Sequence, residues 1–142
     1  MISQVFFDSS SVLAGIMSFV GASHRLLFAS HIKEIRGFIS EEVLTEVSSK
    51  LHKTELSPSE FDLFLAWTNL FILPKPKSST KALFSSFVSD PNDLHIFASA
   101  SQIKDSILVS LDKKHIISLK SKITHPHIMS PSDLLQHLLV HS

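Results

Sequence analysis

Ser89–Ile116, SDPNDLHIFASASQIKDSILVSLDKKHI, is the stretch on which the reading of this chain turns. Asp90-Pro91-Asn92-Asp93 has the form of a helix start, with a cap, a proline and an acid at the third helical position. Ile107-Leu108-Val109-Ser110 has the form of a buried strand, and Asp112 stands just beyond its end. Far upstream a second apolar run, Val5-Phe6-Phe7, also leads straight into an acid, Asp8. If the two runs are parallel neighbours, both carboxylates leave the sheet at one edge, where open α/β sheets gather their sites.

Working outward, Val5 to Phe7 is uninterrupted by polar residues, as expected of a strand covered on both faces. Ser9 to Ser11 offer caps for a helix through Val12, Leu13, Ile16 and Met17, and Gly21 breaks it. A second helix is expected from Ala22, followed by a short strand at Gly37-Phe38-Ile39. Ser40 can cap the next helix, with Glu41 and Glu42 in its first turn and Val43, Leu44, Val47 and Leu51 as its buried stripe. Glu46 then lies one turn beyond Glu42, on or beside the same face. Ser57-Pro58-Ser59-Glu60 opens another helix, and Phe71-Ile72-Leu73 is a third strand stopped by Pro74 and Pro76. Lys75 to Thr80 reads as a loop, Ala82 to Val88 as a short helix and Lys113 to Lys122 as a further one. Ile128-Met129 is a last strand, and Ser130-Pro131-Ser132-Asp133 caps a terminal helix. This alternation predicts an α/β fold, a parallel sheet with helices on both faces, in one domain over residues 1–142.

The composition of the 142 residues sets limits on function. Lys plus Arg (13) balances Asp plus Glu (13), so no global field draws the chain to nucleic acid or to an anionic membrane, and any polyanion site must be local. The absence of cysteine excludes disulfides, thiol nucleophiles and Cys-based metal sites, and makes a reducing cytoplasm the default compartment. The opening MISQVFFDSSSV has no basic segment and turns polar after three apolar residues, so it reads as a first strand rather than a leader or membrane span. An apolar share of 44% suggests a surface buried by a partner or a second copy.

The acids carry the chemistry. For Asp93 the bland reading is a cap residue, because the segments starting at Ser57 and Ser130 have the same form; Asp90 has the same explanation. Asp8 and Asp112 resist it, since an acid ending an apolar strand is costly unless paired, and no Arg or Lys adjoins Asp8. Asp8, Asp93 and Asp112 at one edge, with Glu46 beside them, would repel one another, and a divalent cation relieves that. An all-oxygen donor set selects a hard ion, Mg²⁺ or Mn²⁺. The nine histidines do not form a recognisable ligand set; His115 alone stands near the expected pocket, and the His125/His127 and His137/His141 pairs each lack a third ligand. With three scattered glycines there is no dinucleotide fingerprint, P-loop or nucleophile elbow.

Taken in order, VFFDSSSVLAGIMS, GASHRLL, FISEEVLTEV, DPNDLHIFASA and ILVSLDKKHI resemble the PIN-domain nucleases, in particular the toxin-like PIN proteins of toxin-antitoxin systems. The resemblance covers nearly the whole chain. It implies a three-layer α/β/α fold with strand order 3-2-1-4-5. The family's acids fall on Asp8, Glu46, Asp93 and Asp112, with Ser9, Ser10, Asp90 and Ser110 in supporting places. Ser11 departs modestly, at a position commonly Val or Ala.

The resemblance thus implies a metal-dependent endoribonuclease using Mg²⁺ or Mn²⁺ on RNA, the toxin of a toxin-antitoxin pair, with an antitoxin protein and a second copy of itself as partners. The alternative is a catalytically silent PIN-like domain that binds protein or regulates, its acids serving as caps. A receiver-like or phosphatase-like domain is disfavoured because Asp8 lacks a neighbouring second acid.

Overall fold

In the computed structural model, which describes residues 2–141, short apolar runs become the strands β1 (Gln4–Phe7), β2 (Arg36–Ser40), β3 (Phe71–Leu73), β4 (Ile107–Val109) and β5 (His127–Met129). Among the described residues they form one five-stranded parallel sheet in the order β3-β2-β1-β4-β5. The chain builds outward from β1 to β3, then crosses back to lay β4 on the other side of β1. That reversal opens a crevice beyond the carboxyl ends of β1 and β4, where Phe7 pairs with Val109. Asp8 and Asp112 follow those two strands.

The helices are α1 (Ser9–Met17), α2 (Ala22–His31), α3 (Glu41–Ser49), α4 (Pro58–Thr68), α5 (Ser78–Ala82), α6 (Leu94–Ser101) and α7 (Pro131–His141). Helix α1 packs on α2 and α3, α2 on α4 and α7, and α5 on α6. Val5, Phe6, Phe7, Leu108 and Val109 are fully buried, as expected for central strands covered on both faces. No single helix among the described residues is long and apolar enough to cross a membrane.

Local chemistry explains most boundaries. Ser57 and Glu60 form the expected reciprocal capping box of α4. Ser40 caps α3 by accepting from Val43 N, and Ser130 accepts from Asp133 N at the start of α7. Three expectations need correction. The cap of α1 is Asp8 itself rather than Ser9 to Ser11, because its carboxylate reaches Ser11 N at 2.9 Å. Lys113 to Lys122 is not an α-helix; it contains only a 3₁₀ turn at Ile117–Leu119. Asp112 O takes both Ile116 N and Ile117 N, and β-branched Ile116 is buried by the tight turn, so the segment never lengthens into an amphipathic helix. Finally, the short helix expected at 82–88 lies earlier, at Ser78–Ala82, inside the stretch read as a loop; turns then bury Phe84 and Val88.

Candidate active site

Asp8 is the deepest acid, with only 2% of its surface exposed. Its Oδ1 accepts from Ser10 Oγ (2.8 Å), Ser11 N (2.9 Å) and Ser11 Oγ (2.8 Å). Its Oδ2 accepts from Ser110 Oγ at 2.5 Å, across 102 positions of sequence. Burial raises the Asp8 pKa above the ordinary carboxylate value, against the lowering effect of these donors, Ser110 foremost. Ser110 Oγ also accepts from Asp112 N (3.0 Å), and Ser10 Oγ from Leu111 N (3.2 Å), so two serines tie the β1 and β4 exits together.

Asp112 is half-buried and turns toward His115, whose backbone N–H donates to Oδ1 (2.9 Å) and whose Nδ1 lies 3.3 Å from Oδ2. Asp93 opens α6 without making a side-chain cap bond. The capping-box explanation therefore fails for Asp93, and the cap of the preceding 3₁₀ turn is Asp90, which accepts from Asn92 N at 3.0 Å. Asp93 is the third residue of that proline-bearing 3₁₀ turn, which runs directly into α6, but its side chain makes no cap bond. Burial raises the Asp93 pKa first, then the charges of Asp90 and Asp112; His115 lowers it, and Glu46 adds to the rise. The acids of three separate segments, Asp90 with Asp93, Asp112, and Glu46, thus share one electrostatic neighbourhood.

Glu46 projects from α3 toward the same place. Its Oε2 accepts from Ser9 Oγ at 3.4 Å, and its Oε1 lies 2.8 Å from Nε2 of His95 on α6. Glu42, one turn earlier, sits 3.9 Å from the other ring nitrogen and 3.8 Å from Lys81 Nζ on α5. His95 is buried, so His115 is not alone near the acids, contrary to the sequence reading. The missed signal was a lone imidazole in the otherwise apolar or small run LHIFASA: a buried polar ring needs a partner, and Glu42 and Glu46 present two carboxylates at helical spacing.

Two observations bear on whether this donor set suits a hard cation. Glu46 Oε1 is a buried carboxylate oxygen without an aligned hydrogen-bond donor, and Asp93 is held above its ordinary pKa partly by its acidic neighbours. A divalent ion would answer both, and the oxygen-rich set fits Mg²⁺ or Mn²⁺ in chemistry. The side chains are not drawn into a ready coordination shell: among the described residues no three or more His, Asp or Glu are so arranged. Cavity size points elsewhere. A groove of about 710 Å³ between α2, α4 and the starts of β2 and β3 is lined by Ser30, Lys33, Arg36, Asp62, Asn69 and mostly apolar side chains, and includes none of these acids. The acidic cluster is the candidate site on electrostatic grounds, because size alone does not select for chemistry.

Comparison with known proteins places this architecture. A family model described as PIN domain matches residues 4–114. Among solved structures, VapBC2 from Rickettsia felis, determined bound to a DNA fragment from its promoter, is similar at 18% identity and a TM-score of 0.64, over 89% of this chain and 98% of that one. PAE2754 from Pyrobaculum aerophilum is similar at 17% identity and a TM-score of 0.64, over 99% of this chain and 98% of that one. At such identities the two structures speak to the fold alone. No curated protein matches the chain.

Proposed function

The chain belongs to the PIN-domain family, a family of nucleases, and from that premise we propose that it is a metal-dependent endoribonuclease, the toxin of a toxin-antitoxin pair. The observation that carries this reading is the convergence of Asp93, Asp112 and Glu46 in one field, beside an acid buried at the end of β1. Asp8, Asp93 and Asp112 would hold Mg²⁺ or Mn²⁺, and Glu46 would join them directly or through a water. When bound, such an ion offsets charge building on phosphoryl oxygens and lowers the pKa of a coordinated water.

The chain's own residues supply the orientation. Ser10 and Ser11 fix one oxygen of Asp8 and Ser110 the other, so the carboxylate cannot rotate. Ser110 fixes the Asp112 backbone in the same stroke, and His115 turns the Asp112 carboxylate. Ser9 steadies Glu46, and Asp90 shapes the turn that presents Asp93. Exposed Lys113 and Lys114 beside Asp112 suit backbone phosphates of an unpaired RNA strand.

An antitoxin partner is supported by the likeness to VapBC2 and by exposed apolar side chains at the turn between α1 and α2: Met17, Phe19 and Val20 are 59%, 70% and 94% exposed. The same surplus supports a homodimer. The cytoplasm is the proposed compartment, consistent with a chain free of cysteine.

One observation favours the silent-module alternative: Asp8 already serves as the cap of α1 and accepts four hydrogen bonds. A thermal melt separates the two readings. For the nuclease, Mn²⁺ at about a hundredfold its Kd adds roughly 2.7 kcal/mol to the wild type, Asp8→Asn loses that gain, and cleavage of a single-stranded RNA disappears with it. Asn caps as well as Asp, so loss of the α1 cap does not confuse the result. No Mn²⁺ response and no cleavage by the wild type would leave the binding-module reading standing.

A further inference from the structure

The sequence run LHIFASA places His95 inside the core, and nothing in the mechanism above uses it. Its side chain is 7% exposed and lies between two carboxylates of α3, with Nε2 2.8 Å from Glu46 Oε1 and Nδ1 3.9 Å from Glu42 Oε2. Glu46 is otherwise held by a single long contact, Ser9 Oγ to Oε2 at 3.4 Å. A glutamate has three rotatable side-chain bonds, and one weak contact does not confine it. The ring is stiff, buried and anchored on the helix that Asp93 opens, so it transmits the position of α6 to the carboxylate of α3. Lys81, 3.8 Å from Glu42 Oε1, faces the far side of Glu42.

We propose that His95 is a positioning residue for Glu46: through Nε2 it sets which way the Glu46 carboxylate faces, and so whether Glu46 stands with Asp93 and Asp112 or swings toward solvent. The assignment rests on the nuclease reading and adds to it a residue that touches neither substrate nor ion. Its strength comes from asymmetry, because the two ring nitrogens do unequal work. Nε2 lies 2.8 Å from Glu46 Oε1, in close contact though not aligned as a hydrogen bond, whereas Nδ1 is 3.9 Å from Glu42 Oε2.

That asymmetry defines the experiment. Gln places its amide nitrogen near the position of Nε2, and Asn places its own near Nδ1, at similar polarity. His95→Gln, His95→Asn and His95→Leu are compared for Mn²⁺ affinity by calorimetry and for kcat and KM on a single-stranded RNA, with metal-free melting as the folding check. Expected are losses of about 10- to 100-fold in Mn²⁺ affinity or kcat for Asn and Leu, the range usual for partners that orient a metal ligand. KM should be little changed, and Gln should recover most of the loss. Each substitution is repeated on Glu46→Gln, where the Asn and Leu changes should cost nothing further if His95 acts through Glu46.

Equal effects of Gln and Asn, or full additivity with Glu46→Gln, would overturn the assignment and leave His95 a packing residue. If Asn and Leu do not fold, His95→Met takes their place: a loss of Mn²⁺ affinity by Met that Gln does not show, and that vanishes on Glu46→Gln, supports the assignment, and equal effects of Gln and Met overturn it. A wild type that neither binds Mn²⁺ nor cleaves RNA sinks the nuclease reading itself, a result distinct from an active wild type indifferent to which nitrogen is replaced.

Discussion

Replacing Ser110 with alanine tests the wiring of the acids most directly. The residue is fully buried at the end of β4, and its hydroxyl makes two bonds: it donates to Asp8 Oδ2 at 2.5 Å and accepts from Asp112 N at 3.0 Å. The other three donors to Asp8 all reach Oδ1, so Ser110→Ala leaves Oδ2 of a buried carboxylate without a donor. Orphaning a buried polar group costs about 1–3 kcal/mol, with charged groups at the upper end. The freed Asp112 N–H belongs to a half-exposed residue and can turn to water, so its loss adds roughly 0.5–1 kcal/mol.

The total, about 2–4 kcal/mol, corresponds to a fall in Tm of roughly 10 °C for a chain of this size. Urea denaturation with EDTA measures it, and Ser9→Ala is the comparison. Ser9 Oγ is 3.4 Å from a part-exposed Glu46 oxygen, so its loss should stay within about 0.5 kcal/mol. On the proposed nuclease reading, saturating Mn²⁺ should narrow the Ser110→Ala deficit, because an ion held by Asp8 would satisfy the orphaned oxygen. A deficit below about 0.5 kcal/mol in EDTA would refute the idea that Ser110 holds Asp8.

Two other perturbations have clear signs. Asp8 and Asp93 both have folded-state pKa values raised above their unfolded ones, so their contribution to stability is fully present below the unfolded value and is lost as pH rises through the folded values. Without metal, Asp93→Asn should therefore gain on the wild type as pH climbs from about 4 toward neutrality; paired urea titrations measure the difference, and a gap that closes with rising pH contradicts it. At the opposite edge of the sheet, a Cβ on Gly37 would lie 2.6 Å from both Leu70 Cδ2 and Ser30 Oγ. Gly37→Ala should cost about 1–3 kcal/mol by overpacking and, on the nuclease proposal, leave Mn²⁺ affinity unchanged, since the added Cβ meets Leu70 and Ser30 rather than an acid of the candidate site.

What the sequence settled by itself was whatever depends on near neighbours. Short apolar runs of two to four residues marked β1 to β5, the Ser57 and Ser130 segments marked the starts of α4 and α7, and Asp8 and Asp112 stood just beyond the ends of β1 and β4. The ordered segments sufficed for the family resemblance and, through it, the strand order that the sheet displays. Helix limits at 78–82 and the tight turn at 117–119 were misread, because burying Phe84, Val88 and Ile116 outweighed local periodicity.

Only the folded chain decided how the acids are held. Asp8 meets Ser110 across 102 positions, and Glu46 meets His95 from a different helix. No local pattern encodes such pairings. They exist because the crossover from β3 back to β4 brings α6 and the β4 exit against β1 and α3, and burial then makes each polar atom there find a partner or pay in desolvation.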